Sequence, residues 1–397
     1  MVLPTPWLWH AAVVPTGDLM RTLAAVVSDP VARATSDALR RHSGVALAEL
    51  SAVHGVSGSL ALALEAAGME IPEELQRSVE WARLVHLQTT RALGTVAGVF
   101  DSAGVRWAVL KGPALAMLWD HGTVTRTYDD LDLLVDPGDL PLAASELERV
   151  GFSHRNRNWA GFRELGVAEV PFDDGSVVID LHWNVVALAA QRRHLRFDTA
   201  AMLDRSVRSD LGGVEVRILH PVDMFAHTCT HAALAGARRL RMLRDVHLTA
   251  SRVAPAGAAA RVSESGVSRL SAGVLGRAVN VFGPAVEPGG QGTGLGSGSA
   301  LGHRGWVGLG GFVDRAWNRL PGSRHLTYPG AVVAAGRDGT ASTLGSMAGL
   351  LTATLRSRVG LPNIESEGGK LDWNVEDPPD AEAGYRRYLD YVAQVCA

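Results

Sequence analysis

Residues 109–135, reading VLKGPALAMLWDHGTVTRTYDDLDLLV, constrain the fold of this chain more than any other stretch. A short apolar run, Trp107-Ala108-Val109-Leu110, ends at Lys111-Gly112. The spacing predicts a helix from Pro113 to Trp119, with proline at a first helical position, where a missing N–H goes unused. A polar loop carrying Arg126 follows, and then a strand from Asp130 to Val135. Side chains alternate along a strand, so Asp130 and Asp132 share one face while Leu131, Leu133 and Val135 share the other. Two carboxylates about 7 Å apart on one strand face repel each other unless a cation lies between them. The pair therefore reads as metal ligands, against the structural alternative of surface acids on an edge strand.

A third carboxylate follows downstream. Asp173-Asp174-Gly175 is a hairpin signal between two strand-like runs, the second of which, Ser176 to Val185, reads SVVIDLHWNV. Val178, Asp180 and His182 fall on one face of it, and Val177, Ile179, Leu181 and Trp183 on the other. An ionised Asp between Ile and Leu in a half-buried strand is costly unless it is paired or metal-bound, so Asp180 is the candidate third ligand. His182, two residues on, would orient that carboxylate, touch substrate, or serve as a satisfied core histidine. Asp129 reads as a loop acid and Asp136 as part of the turn at Pro137.

At these residues the chain resembles the nucleotidyltransferases of the DNA polymerase β-like superfamily. Their pattern is an apolar strand, a glycine turn opening a helix, Asp-x-Asp, and a third carboxylate on a later strand. The wording LKG…R…DLDLLV is most similar to a bacterial branch of uncharacterised nucleotidyltransferases, over roughly residues 40–250. The resemblance implies an α+β fold, with a mixed sheet, flanking helices and further helical parts at both ends. It implies Asp130, Asp132 and Asp180 as the catalytic, metal-binding acids, holding two Mg²⁺ ions, and an NTP as substrate. Lys111 and Gly112 become nucleotide-binding residues, with an ammonium beside the phosphates and a backbone open to close approach at a helix N-terminus. Structurally, Lys111 would be a strand-end lysine reaching solvent. Arg126 would either hold a phosphate or pair with a nearby Asp. The chain departs from the superfamily at Pro113, where Ser or Gly is usual, and so lacks a backbone N–H that could hold a phosphate.

Upstream, residues 36–67 show helical spacing with glycine breaks, which predicts short packed helices. Ile71-Pro72-Glu73-Glu74 opens a long helix to about Ala103, with acids in its first turn. Its polar residues, His86 and Arg91 among them, read as a solvated face. Downstream of the Asp pair, Leu140 to Val150 is expected to be helical. Val214 to Leu219 suggests a second hairpin. Pro221 opens one long helix to about Ala250, on which His227, His231, Leu234, Arg238, Arg241 and Asp245 form a single stripe. His231, Arg241 and Asp245 are candidates for contact with substrate or with the acids. The default for Asp245 is a salt bridge to Arg241 on its own helix. His227 and His231 have zinc-compatible spacing, but HTCTH lacks the Glu of a metalloprotease helix and no third ligand is evident.

The expected layout is an N-terminal helical region (1–103), a catalytic core (104–220) and a helical substrate-covering region (221–282). A Gly/Ser-rich linker (283–311) and a C-terminal region (312–397) complete it. Val262 to Phe282, 345–359 and 381–395 are expected helices, and 363–380 an acidic, proline-rich piece. The Gly-rich 283–311 never spells a phosphate-binding loop and follows no apolar strand, so it reads as a linker. The net charge of −3 predicts no broad attraction to long nucleic acid. Cys229 and Cys396, the two cysteines, give neither a disulfide framework nor a four-cysteine zinc site. The start lacks a basic leader and no apolar run spans a bilayer, so the chain is expected to be cytoplasmic. The function expected is transfer of an NMP group from an NTP to a small-molecule, peptide or protein acceptor, releasing pyrophosphate. The rival is a catalytically inactive nucleotide-binding or scaffolding protein on the same fold, which Pro113 favours.

Overall fold

The computed structural model describes residues 17–285 apart from 155 and 157, the segment 381–395, and short pieces between 295 and 345. Residues 1–16, the expected helix over 345–359 except its first residue, the acidic piece at 363–380, and Cys396 lie outside the described residues. Four helices open the described chain: α1 (Gly17–Ser28), α2 (Arg33–Leu39), α3 (Gly44–His54) and α4 (Ser57–Ala66). They are the short packed helices that the glycine-broken spacing predicts. The long helix α5 (Glu73–Ala103) starts after Pro72, with Glu73 and Glu74 complementing its dipole. It stops at Gly104, which takes the left-handed conformation while Val105 N–H reaches back to the Phe100 carbonyl. Leu75 and Val79, near its start, pack with the N-terminal helices. Leu93, Val96 and Phe100, near its end, pack on the sheet. One helix thus ties both cores together.

The sheet elements alternate with helices: β1 (Trp107–Val109), α6 (Pro113–Ala116), β2 (Leu131–Val135), α7 (Leu140–Arg149), β3 (Ser153–His154), α8 (Trp159–Leu165), β4 (Glu169–Asp173), β5 (Val178–His182), α9 (Ala189–Arg192), α10 (Thr199–Arg205), β6 (Val207–Asp210) and β7 (Glu215–Ile218). Their order across the seven-stranded sheet is β3-β4-β5-β2-β1-β7-β6. β2 pairs antiparallel with β1 and parallel with β5, so the sheet is mixed, as the α+β expectation requires. Both expected hairpins form, β4–β5 and β6–β7. The helix predicted from Pro113 to Trp119 keeps one α-helical turn and continues as tight turns, Leu118 N–H to Leu115 O and Trp119 N–H to Ala116 O.

Helices α11 (Pro221–Leu234), α12 (Leu240–Ala250), α13 (Pro255–Glu264) and α14 (Ser268–Phe282) follow the sheet, and the last described helix is α15 (Ala381–Val395). The single helix expected from Pro221 to about Ala250 is therefore two. Gly236 at φ +82° and Ala237 at φ +49° turn the chain, and Ala237 N–H closes on the Ala232 carbonyl at 2.6 Å. The helix expected from Val262 is likewise broken, at Gly266 (φ +69°), where a Cβ would lie 2.9 Å from the His194 carbonyl. A periodic stripe does not register such breaks, because apolar spacing resumes in phase beyond them. In the Gly/Ser-rich segment, Leu295 is buried and its N–H bonds the Ala250 carbonyl, so this part packs on α12. Tyr388 of α15 donates to the Val167 carbonyl at 2.6 Å and accepts from Trp183 Nε1 at 2.9 Å, docking the C-terminal helix on α8 and α7. Among the described residues, no helix is long and apolar enough to cross a membrane.

The N-terminal helices also clamp the loop before β2. A Cβ on Gly58 would fall 1.8 Å from the Val124 carbonyl oxygen, and Ser59 Oγ donates to the Thr125 carbonyl at 3.2 Å. A backbone oxygen cannot rotate away as a side chain can. Gly58→Ala is therefore expected to destabilise the protein by about 1–3 kcal/mol. A urea melt with an unchanged midpoint would contradict this close packing.

Candidate functional site

The register of β2 against β5 builds the site. Asp132 faces Asp180 as direct neighbours on these parallel strands, and Leu134 faces His182. The even spacing of a strand therefore puts Asp132, Asp180 and His182 on one face. Their ligand atoms lie within 4.8 Å of one another, and together they form a group able to hold a metal ion. Asp130, just before β2, is outside that group but lines the same cleft as Asp132, with Lys111, Gly112, Arg126, His231, Arg241 and Asp245. Two of the three expected acids thus meet across adjacent strands, with His182 completing the cluster and Asp130 set at its cleft side.

Asp132 is the electrostatic centre. It is 1% exposed, and its Oδ1 takes both Lys111 Nζ at 2.5 Å and His182 Nε2 at 3.1 Å. Burial alone would raise its pKa, but the Lys111 charge and the His182 hydrogen bond outweigh burial and hold it far below the usual carboxylate range. Lys111 is therefore a counter-ion to the acid, not a strand-end lysine in solvent. Burial would lower the pKa of His182, yet its bond to Asp132 and the charges of Glu169 and Asp132 carry it upward. Its Nδ1 lies 3.5 Å from Glu169 Oε2, so the imidazole is braced from both sides. The carboxylate that His182 touches is therefore Asp132, not Asp180 as the sequence reading had it.

The other two acids are under strain of charge. The charge of Asp132, followed by burial, pushes Asp130 up to about 7 against the opposing pull of Lys111. Burial, with Asp132 adding to it, pushes Asp180 up to about 6 against the pull of His182. Carboxylates held this far above their ordinary range are stabilised by any cation that enters between them. A donor set of carboxylate oxygens with one imidazole suits a hard divalent ion, so the residues present fit the metal that nucleotidyltransferases generally use.

Gly112 shapes the floor. Its φ of +56° and ψ of −114° are open to glycine alone, and a Cβ there would sit 3.2 Å from the Asp130 carbonyl. Arg126 is 5% exposed and pairs with Asp245 through two bonds, Nε to Oδ1 at 2.8 Å and Nη2 to Oδ2 at 2.9 Å. Its Nη1 also donates to the Gly112 carbonyl at 3.1 Å, so the loop arginine buttresses the Lys-Gly turn. The salt bridge expected between Asp245 and Arg241 on one helix is thus corrected. Both residues do lie on α12, but the Arg126 fork and Trp119 Nε1, at 2.8 Å, take both Asp245 oxygens. His86, expected on a solvated face, is part-buried, and its Nδ1 meets the Tyr128 hydroxyl at 2.6 Å. Glu169 escaped the sequence reading because it shares no motif with the acids, and Tyr128 because its partner His86 lies 42 residues away on another element.

His227 is buried, both its ring nitrogens lack partners among the described residues, and burial followed by the Lys111 and His182 charges lowers its pKa to about 3. His231, which lines the cleft, is held well below its usual value mainly by burial. Among the described residues neither belongs to a cluster of three metal-capable side chains.

A mixed sheet carrying Asp-x-Asp beside a Lys-Gly turn, with a third acid in register on the neighbouring strand, defines a nucleotidyltransferase. The family of uncharacterised nucleotidyltransferases matches residues 45–283, well over half of the chain, and the chain belongs to it. The resemblance read from Lys111-Gly112 and Asp130-x-Asp132 therefore holds at the level of the family. None of the curated proteins compared matches the chain. Among solved structures, the chain is similar to an antigenic nucleotidyltransferase-like protein from Paracoccidioides brasiliensis, at 14% identity with a TM-score of 0.32. That alignment covers 55% of this chain and 97% of the other.

Proposed function

We propose that the chain transfers a nucleoside monophosphate from an NTP to a hydroxyl-bearing acceptor and releases pyrophosphate, using Asp130, Asp132 and Asp180. The observation that carries this reading is the register of Asp132 on Asp180 beside the Lys111–Asp132 pair. In balance, the acceptor oxygen bonds the α-phosphorus, the bond to the β-phosphate oxygen breaks, and the acceptor proton passes to a base. We assign that base to Asp180, the acid in register with Asp132 on the neighbouring strand. Divalent ions held by the three carboxylates, Mg²⁺ by preference, would activate the acceptor oxygen and neutralise the leaving pyrophosphate. Lys111 and His182 keep Asp132 ionised and fixed in direction. Gly112 lets the nucleotide approach the backbone, and Arg126 holds the turn that carries it. The acceptor is a small molecule, a peptide or a protein, in keeping with the net charge of −3. We place the chain in the cytoplasm.

The test is to incubate the protein with each labelled NTP, Mg²⁺ and a cell extract, and to follow pyrophosphate and labelled product. Pyrophosphate with a labelled product is expected. Nucleotide binding without pyrophosphate from any acceptor pool would instead support the inactive, nucleotide-binding alternative that Pro113 favours. Release of monophosphate without acceptor would indicate phosphohydrolysis.

A further inference from the structure

Three cationic side chains line the cleft: Lys111, Arg126 and Arg241. Two are already neutralised, Lys111 by Asp132 and Arg126 by Asp245. Arg241 is different. It reaches the cleft from α12, and among the described residues no carboxylate pairs with it. Among those residues its guanidinium makes one hydrogen bond, Nη1 to the Thr127 carbonyl at 2.8 Å. The backbone of the N-terminal helices makes room for it. Gly55, which ends α3 at φ +67°, would carry a Cβ only 3.2 Å from Arg241 Nε. The side chain is thus aimed into the cleft by a carbonyl on one side and a bare glycine on the other. Burial, followed by the charge of Arg126, lowers its pKa, which the charges of Asp245 and Asp129 offset only in part.

The cleft also lacks a donor. Pro113 stands where a backbone N–H would open the helix after Gly112, so the turn has one hydrogen bond fewer to give a phosphate. A guanidinium supplies several donors in one plane and matches phosphate oxygens better than an ammonium does.

We propose that Arg241 holds the β- and γ-phosphates of the nucleoside triphosphate, taking from the helical layer the part that the proline-blocked turn cannot play. This rests on the reading that the cleft takes an NTP. It makes the substrate's polyphosphate, and not its base, the group that spans the sheet and α12. A phosphorylated acceptor would offer similar oxygens, and comparison of tri- with monophosphates separates the two.

The experiment titrates the full-length chain, by calorimetry with Mg²⁺, against the four NTPs, AMP and inorganic tripolyphosphate, in wild type and Arg241→Gln. Arg241→Gln is expected to weaken binding of the preferred NTP and of tripolyphosphate at least about tenfold, with AMP affinity unchanged. Equal NTP affinity in both proteins would overturn the role of Arg241, as would an equal loss for AMP. Binding of neither NTP nor tripolyphosphate by the wild type would instead overturn the nucleotide reading itself, and this inference with it. A second measurement needs no variant: wild type treated with phenylglyoxal, with and without the NTP, and mapped by mass spectrometry. The NTP is expected to protect Arg241 at least about fivefold, whereas absence of protection counts against the proposal.

Discussion

Asp130→Asn is expected to reduce nucleotidyl transfer by roughly a thousandfold, about 4 kcal/mol of transition-state stabilisation, while making the metal-free protein more stable at pH 8. Its pKa stands at about 7 in the folded chain, above the ordinary value of 3.8, chiefly because Asp132 is charged beside it. A carboxyl raised in this way favours its protonated form on folding. Below pH 3.8 it is protonated in both states and contributes nothing. As pH rises from there to about 7, the unfolded chain ionises it freely and the folded chain does not, so stability falls and then levels off. At pH 8 the full penalty, on the order of 2 kcal/mol after allowance for partial exposure, is present, and asparagine removes it. Thermal melts in EDTA at pH 5 and pH 8, with and without added Mg²⁺, read this directly. The wild type should gain more from Mg²⁺ than the variant, and the variant's advantage in melting over wild type should be larger at pH 8 than at pH 5. A variant that keeps full activity, or melts lower at pH 8, would remove Asp130 from the site. Asp132→Asn is the less clean experiment, since it leaves Lys111 and His182 buried without their counter-charge.

Asp245→Ala is expected to cost about 3–5 kcal/mol in urea denaturation, because it strands the buried Arg126 guanidinium and orphans Trp119 Nε1. Replacing both members, Arg126→Met with Asp245→Leu, should recover most of that loss, since two well-packed apolar groups leave no unpaired charge. The double variant should still be impaired in transfer, because Arg126 also holds the Gly112 carbonyl. The same variants discriminate between the two readings of Arg126. If its main task were to hold a phosphate, freeing it from Asp245 would tighten NTP binding. If it buttresses the turn, Asp245→Ala weakens binding and stability together. A single-variant cost under about 1 kcal/mol would show that the pair is not the tie between α12 and the Lys-Gly turn.

The sequence by itself determined what depends on neighbours along the chain. Alternation along 130–135 and 176–185 marked two strands and the face on which Asp132, Asp180 and His182 stand, because the strand period is two whatever surrounds it. Asp173-Asp174-Gly175 marked the hairpin, and Pro72-Glu73-Glu74 the start of α5, because caps and turns are local chemistry. The glycine after Lys111 pointed to a tight turn, and a positive φ is what the turn requires. Only the tertiary structure decided who partners whom. Arg241 and Asp245 stayed one turn apart on α12, yet packing brought Arg126, 119 residues away, and Trp119 to the Asp245 carboxylate instead. His182 found Asp132 across 50 residues, and His86 found Tyr128 across 42. Those pairings follow from burial, where a charge or a hydrogen-bonding group must take whatever partner the packing brings within reach. No period in the sequence encodes that distance.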